Sequence, residues 1–597
     1  MGAAPPVDSD LRLGVTRFGP RVQAEGTLFR LWAPSAPAVE LVLANGTLPM
    51  AARGGGWFDV LAPGTGPGAR YRFRIGDRDW PDPASRLQEG GPDGWSVVPH
   101  PSLAWRSRRL GRPWAEMVIS ELHVGTATPE GTFRALAKRL GHYAEAGVTA
   151  IQLMPVAEFA GSRGWGYDGV LPFAVKADYG RPEDLAELVR RAHTLGLSVF
   201  LDVVYNHFGP TGNGLETYAP EFFAAGVLTP WGPAIDFERP EVRRFFIENA
   251  RGWVENFGID GLRFDAVHAF QGPARAVFLR ELAETLNALE PRPHLVLENE
   301  HNEASLLGGA HDVAAHLYRA QWNDDFHHVF HVAVTGESDG YYAAYAEGTA
   351  ARVARVLQQG FDYQGDPNPL RGGVPRGEVS AGLHPTAFVS FLQNHDQVGN
   401  RAFGERLTDL APPEAVRLLR FALLLAPQVP MLFMGEEYDE RRPFRFFCDF
   451  EGDLAEAVRS GRRAEFAQFA AFAGTEIPDP LDPATRDACR LDWARLDTPE
   501  GAEAFAFTRR CLQWRRRFVT PLLGSAFRGA EAGAVGPIVV ARWDFEAGSY
   551  GLALNLSPAT RFARVPAPRA EAAAGEVRPG SGHWVFESFS GALWLPQ

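Results

Sequence analysis

From residue 118 onward the sequence alternates between short apolar runs and longer stretches with an amphipathic, helical period. Residues 118–125 and 149–156 are apolar runs typical of β-strands. The stretch 132–147 between them has the spacing of a helix that buries one face. The same order, helix then strand, recurs over 182–205. Such alternation predicts parallel strands joined by crossover helices.

The apolar pattern continues far enough to supply eight strands. Further β-prone runs lie near 320–322, 387–392 and 429–434. A helix ending near Arg517 would close the structure. The predicted fold class is therefore α/β, with a (β/α)8 TIM barrel over residues 106–520.

Both ends of the chain have a different pattern, in which short β-prone runs are separated by Gly and Pro. Residues 1–105 predict an N-terminal β-sandwich of immunoglobulin-like type followed by a turn-rich linker. Residues 521–597 predict a C-terminal β-sandwich domain. The barrel is thus expected to be flanked by two smaller β-domains.

Four apolar runs of the predicted barrel end in a carboxylate with polar neighbours. Parallel barrel strands deliver their last residues to one rim, where active sites lie. A single strand-end aspartate is often only a cap for the next helix, but four such segments in order favour an active site. The segments are Asp202 to His207, Gly261 to His268, Leu295 to Asn302 and Phe391 to Asp396.

Strand alternation places Arg263 and Asp265 on one face, and a cation there favours the charged form of the carboxylate. Glu298 ends the next β-prone run. Adjacent parallel strands lie about 4.8 Å apart, so the two carboxyl groups can approach to the roughly 5–5.5 Å typical of a retaining glycosidase. We therefore predict Asp265 as the nucleophile and Glu298 as the acid.

Composition narrows the class of substrate. The 597-residue chain is 45% hydrophobic and 22% charged, with a formal net charge of −13. An acidic protein of this kind argues against nucleic acid or an anionic membrane as partner and favours a neutral substrate. Its three cysteines form no CxxC pair, so neither a disulfide framework nor a metal site is predicted. No cofactor is expected. No apolar stretch suits a signal peptide or a membrane span, which predicts a cytoplasmic protein.

The four segments resemble the signature regions of the α-amylase superfamily of glycoside hydrolases over about residues 115–520. In that family the residue at the Asp265 position forms a covalent glycosyl intermediate. The residue at the Glu298 position protonates the departing oxygen, and the one at the Asp396 position holds sugar hydroxyls. The sequence departs from the family in two respects: it lacks the extra signature that many members carry in the loop after the third strand, and it lacks the oxygen ligands of their structural calcium. Calcium is therefore not expected.

The same resemblance implies a set of substrate-binding side chains. Four of them would hold or stack on the sugar in the cleavage subsite, and one lies on a loop where relatives contact the leaving-group sugars. The first four are Tyr167, His207, Arg263 and His395, and the fifth is His268. The N-terminal region resembles the carbohydrate-binding accessory domain of branching, debranching and trehalose-releasing members.

Two further segments, 321–346 and 435–466, are similar to the maltooligosyltrehalose trehalohydrolase family within the superfamily. This similarity implies hydrolysis of the α-1,4 linkage next to the terminal trehalose of maltooligosyltrehalose, releasing trehalose after a maltooligosyltrehalose synthase has acted. The segment 444–447 is expected either to lie in a solvated loop or, through its aromatics, to shape the trehalose side of the cleft. A glucan-branching transferase and a catalytically silent glucan-binding protein remain as alternatives, although the presence of all three carboxylates disfavours the latter.

Overall fold

The computed structural model describes residues 16–100, 109–308, 317–467, 477–566, 569–580 and 583–596. Within these ranges, eight parallel strands form a closed barrel in which each strand pairs with the next and the last pairs with the first. The predicted TIM barrel is therefore confirmed. Its strands are β1 (Ile119–Leu122), β2 (Ala150–Leu153), β3 (Ser198–Val203), β4 (Gly261–Phe264), β5 (His294–Leu297), β6 (Ala320–Asn323), β7 (Phe388–Phe391) and β8 (Val429–Phe433).

Amphipathic helices cover the outside of the barrel and connect its strands. Most begin with a proline or a capping side chain, as expected where a loop enters a helix. The larger ones are α1 (Phe133–Ala146), α2 (Pro182–Thr194), α3 (Pro240–Phe257), α4 (Arg275–Asn287), α5 (Asp324–Thr335), α6 (Thr349–Gln359), α7 (Pro413–Leu425) and α8 (Pro499–Trp514). A further helix, Gly452–Ala467, lies in the long segment after β8. No helix of the described ranges is both long and apolar enough to cross a membrane.

Strand alternation separates two buried layers. Leu262 and Phe264 of β4 point outward and join the large core between barrel and helices. Inside the barrel, Phe200, Trp322 and other apolar side chains form a second cluster. Arg263 points into the barrel, and its guanidinium carbon lies 4.2 Å from the centroid of the Trp322 ring. The predicted orientation of Arg263 is thus the observed one.

Two antiparallel sheets precede the barrel. One contains Arg21–Val22, Gly26–Trp32, Ala51–Ala52 and Trp57–Pro63, and the other contains Glu40–Leu43, Gly46–Pro49, Arg70–Ile75, Arg78–Trp80, Gln88–Glu89 and Trp95–Val97. The predicted boundary at residues 105 and 106 lies outside the described residues.

Two more antiparallel sheets follow the barrel. The helical chain continues from α8 to Leu523, and the first C-terminal strand begins at Phe527. One sheet contains Phe527–Val535, Ile538–Phe545, Gly548–Asn555, Ala572–Ala574 and Gly591–Trp594, and the other contains Arg561–Ala563, Val577–Pro579 and Trp584–Phe586.

Candidate active site

The carboxylate of Asp265 follows β4 directly and is held by two donors. Nη1 of Arg263 donates to Oδ1 of Asp265 over 2.6 Å. Nδ2 of Asn206, from the loop after β3, donates to Oδ2 over 2.8 Å. Both oxygens are therefore fixed in direction, while the side chain remains slightly exposed to the cleft.

Arg263 is the hub of the site because it contacts three carboxylates while fully buried. Besides Asp265, its Nη1 donates to both oxygens of Asp202, at 2.9 and 2.8 Å. Its Nη2 lies 3.2 Å from Oε2 of Glu298. A buried guanidinium needs such partners, since an unpaired charge in the interior would be costly.

Glu298 lies just beyond β5, next to the strand that delivers Asp265. Its Oε2 accepts a hydrogen bond of 2.5 Å from the amide of Ala266. Ala266 adopts a φ of 40°, a left-handed conformation that is unfavourable for a residue with a Cβ. Burial raises the pKa of Glu298 to about 8, and the nearby charges of Asp265 and other carboxylates add to this effect against the opposing Arg263. The group therefore holds a proton at neutral pH.

The third carboxylate, Asp396, lies after β7 beside His395. Its Oδ1 is 3.5 Å from Nε2 of His395, and its side chain is 41% exposed, so it is open to a ligand. Nδ1 of His395 is 2.7 Å from Oε1 of Glu121, a residue of β1. Burial alone would lower the pKa of His395, but the charges of Asp396 and Glu121 outweigh this effect and raise the pKa to about 9. His395 is therefore a cation at neutral pH.

Tyr167 and His207 form one wall of the same cleft. The Tyr167 hydroxyl donates to Oδ2 of Asp202 over 2.8 Å, and its ring stacks on His395 with centroids 4.9 Å apart. His207 contacts Asn206 through Nδ1 and stacks on the half-exposed ring of Trp231. These contacts leave flat apolar surface beside polar groups, which suits a sugar ring.

His268 lies in the short turn after β4, three residues beyond Asp265. Its Nδ1 accepts a hydrogen bond from the amide of Glu300, and burial lowers its pKa. The Glu300 carboxylate is 2.5 Å from Nη2 of Arg371. Burial alone would raise the pKa of Glu300, but the pairing with Arg371 outweighs this effect and lowers the pKa. Glu300 is therefore a poor substitute for Glu298 as proton donor.

The prediction for 444–447 needs a correction for two of its aromatics. Phe444 and Phe447 are buried, and Phe444 stacks on Trp165 with centroids 5.4 Å apart. Both rings also pack against His123. Phe444 packs behind the site through Trp165, whose ring contacts that of His395. Burial of the Phe444 and Phe447 rings is expected because large apolar side chains are stabilised by removal from water. Only Phe446 of the aromatics in this segment stays partly exposed.

Sequence reasoning missed Glu121 and Asp324. In the sequence, Glu121 occupies an ordinary position within a short strand, and its partner His395 is separated from it by 274 positions along the chain. Asp324 opens α5, where an acidic residue is common for helix stability alone. The charge of Asp324 nevertheless interacts with the charges of both Glu298 and Asp396. Within the described residues, no group of three or more His, Cys, Asp or Glu side chains could hold a metal ion.

Comparison with known proteins matches two parts of the chain to family models and nearly all of it to a solved structure. Residues 84–218 match the family model for the alpha amylase catalytic domain, and residues 17–90 match carbohydrate-binding module 48, the isoamylase N-terminal domain. A crystal structure of a Salmonella typhimurium protein superposes with a TM-score of 0.92 at 42% identity, covering 98% of this chain and 100% of the other.

Two named relatives are similar over most of their length. The malto-oligosyltrehalose trehalohydrolase of Deinococcus radiodurans is 41% identical, covering 93% of this chain and 91% of the relative. That of Saccharolobus solfataricus is 38% identical, covering 80% and 83%. A 1,4-alpha-glucan branching enzyme of Nocardia farcinica is more distant, at 28% identity over 70% of this chain and 59% of its own. This chain therefore belongs to the malto-oligosyltrehalose trehalohydrolase family of the α-amylase superfamily of glycoside hydrolases.

Proposed function

We propose that the protein hydrolyses the α-1,4 linkage next to the terminal trehalose unit of maltooligosyltrehalose and releases trehalose, with retention of anomeric configuration. The observation that supports the proposal is the pairing of Asp265 and Glu298 on neighbouring strand ends. Two hydrogen-bond donors hold the carboxylate of Asp265, and the pKa of Glu298 is raised to about 8. One group is thus suited to attack and the other to give a proton.

In the first step an oxygen of Asp265 forms a bond to the anomeric carbon as the bond to the leaving oxygen breaks. The proton of Glu298 passes to that leaving oxygen, so the sugar departs as a neutral hydroxyl compound. Asp396 and the cationic His395 hold hydroxyls of the sugar in the cleavage subsite, and Tyr167 stacks against its ring. Positive charge that develops on the ring is offset by the surrounding carboxylates.

In the second step water replaces the released sugar. Glu298, now a carboxylate, takes a proton from the water as its oxygen attacks the anomeric carbon, and the bond to Asp265 breaks. The starting state of both carboxyl groups is restored. Two inversions at one carbon give net retention, so the freshly released reducing end should be the α-anomer.

The choice of substrate is supported by the relatives, whose names specify malto-oligosyltrehalose and trehalose release. Such a substrate carries a 1,1 linkage that another enzyme must make, so we place this protein after a maltooligosyltrehalose synthase, in the cytoplasm. We also propose that the chain divides into units at 1–105, 106–520 and 521–597, with the first binding glucan as accessory modules do.

The deciding experiment is to incubate the protein with maltooligosyltrehalose and, separately, with amylose, and to identify the products. We expect trehalose and a shortened maltooligosaccharide, with kcat/KM at least about tenfold above that for a plain maltooligosaccharide of equal length, a barrier difference near 1.4 kcal/mol. Equal rates on both substrates would contradict trehalose specificity. New α-1,6 branch points in amylose would indicate a branching transferase, and no product at all would indicate a silent glucan-binding protein.

A further inference from the structure

A fourth carboxylate, Asp324, lies at the same rim as the three catalytic groups. It is the first residue of α5, directly after β6, the strand next to the one that delivers Glu298. Asn323 caps this helix through its side chain, so the helix does not need Asp324 as a cap. Its placement at the carboxyl end of the barrel puts its side chain where substrate binds.

The adjacent residue, Asp325, shows what a structural carboxylate looks like in this protein. It is buried and accepts five hydrogen bonds, which fill its capacity. Their donors are the side chains of Arg376, Tyr345 and Asn302 and the amides of Asp362 and Tyr363.

Asp324 differs from Asp325 in its partners. Among the described residues, the side-chain amide of Gln397 is its only hydrogen-bond donor, at 3.2 Å from Oδ1. The residue is partly exposed, and in the described part of the chain no donor pairs with its second oxygen, so that oxygen can accept a hydrogen bond from a ligand. A half-satisfied carboxylate in a cleft is suited to accept a hydrogen bond from a hydroxyl.

The strand order shows which reacting group Asp324 lies next to, because β6, which it follows, pairs with β5, which delivers Glu298. The charge of Asp324 acts on Glu298, whose proton goes to the leaving oxygen, and on Asp396. Burial raises the pKa of Asp324 to about 7, with Asp396 adding to the effect and Arg376 opposing it. The ionisable side chains that act on it are Arg263, Arg376, Asp325, Glu298 and Asp396. A carboxylate at the strand end next to that of Glu298 is placed to contact the sugar that Glu298 protonates.

We propose that Asp324 binds a hydroxyl of the leaving sugar, which in the proposed reaction is the trehalose unit. This inference rests on the proposed function. Removing the charge while keeping the shape, as in Asp324→Asn, should weaken the contact because a neutral amide is a poorer acceptor than a carboxylate. The loss should appear only when the leaving group carries hydroxyls.

The test compares wild type, Asp324→Asn and a control, Glu378→Gln. Glu378 is an exposed carboxylate whose Oε2 accepts a hydrogen bond from the amide of Ser305, so the control removes one charge away from the reacting groups. Trehalose binding is measured by calorimetry. The kcat/KM is measured for maltooligosyltrehalose and for 4-nitrophenyl α-maltotrioside, whose leaving group has no sugar hydroxyls.

For Asp324→Asn we expect at least about tenfold weaker trehalose binding and an equal loss of kcat/KM on maltooligosyltrehalose. The aryl substrate should react at nearly the wild-type rate, which also shows that the variant is folded, and the control should match wild type throughout. Trehalose binding within about twofold of wild type would overturn the role of Asp324. A wild-type protein that neither binds nor releases trehalose would instead overturn the proposed function, and this inference with it.

Discussion

At the scale of single residues, the proton of Glu298 sets the expected pH dependence. In the proposed mechanism activity needs protonated Glu298, so kcat/KM should be at its full value below the pKa of about 8 and fall as pH rises through it. Glu298→Gln should lower turnover by about 10² to 10⁴-fold while substrate still binds, because the amide keeps the shape but has no proton to give. Steady-state rates and calorimetric binding measure both effects.

Glu300→Gln is the matched control for this prediction. Glu300 lies on the same loop, but it is paired with Arg371 and its pKa is lowered, so it does not hold a proton near neutral pH. Its replacement should leave the basic limb of the pH profile in place. If Glu298→Gln kept half of the wild-type rate, the proton donor would have to be another group.

A second prediction concerns the charge on His395. Glu121→Gln removes one of the two carboxylates that raise its pKa, so burial should bring that pKa below about 9. The ring signals of His395, followed by NMR, should then titrate at a lower pH in the variant than in wild type. Glu116→Gln is a suitable control because Glu116 pairs with Arg112 and is 42% exposed. Superimposable His395 titration curves for Glu121→Gln and wild type would contradict the role of Glu121 in holding the His395 charge.

The site residues predicted from the sequence and those missed differ in one physical respect. Asp265 and Glu298 each end an apolar run, so strand alternation and the order of the runs are enough to pair them. Glu121 and Asp324 act through partners brought together only by closure of the barrel. Local pattern carries no information about such contacts, which makes them unpredictable without the fold.

At the scale of elements, the predicted strands agree with the observed ones to within a few residues, because β-prone runs bounded by polar residues set their own limits. Burial of the aromatics after β8 was harder to predict. The composition of 444–447 fits a cleft wall as well as a core, and only the stacking of Phe444 on Trp165 decides between them. The sequence pattern therefore predicts where strands begin and end better than it predicts which aromatic side chains face solvent.

The buried Asp325 joins three elements, and we predict a large loss of stability when it is removed. Asp325→Ala leaves Arg376 buried without its anionic partner and frees donors from the loop after β5 and from the segment after α6. Breaking a buried pair from one side costs about 3–5 kcal/mol. Differential scanning calorimetry should show a clearly lower melting temperature, together with reduced turnover because the loop that follows Glu298 loses an anchor.

The exposed pair Glu187–Arg190 on α2 provides the comparison for this prediction. Glu187→Gln should change the melting temperature little, since solvent screens such pairs. An Asp325→Ala protein as stable as wild type would mean that water replaces the lost partner. The hydrogen bonds of Asp325 would then not be what holds the loop after β5.

At the scale of the whole molecule, the C-terminal sheet packs on the outer side of the barrel against α6 and α7. Trp543 is fully buried there, and its Nε1 donates to the carbonyl of Leu357 over 2.8 Å. The Tyr550 hydroxyl donates to the carbonyl of Leu425 over 2.9 Å. These contacts make the C-terminal domain part of the barrel's support, although it contributes none of the proposed catalytic groups.

Trp543→Ala should therefore lower stability without changing the chemistry. Deleting a buried aromatic side chain costs about 3–5 kcal/mol through lost burial and the cavity left behind. Trp543→Phe keeps a ring but leaves the Leu357 carbonyl unpaired, so its melting temperature should lie between those of wild type and Trp543→Ala. Calorimetry measures this order, and limited proteolysis should cut Trp543→Ala first near the C-terminal sheet. Turnover well below the melting temperature should stay near wild type, and a parallel fall in turnover would show that the sheet shapes the active site through α6.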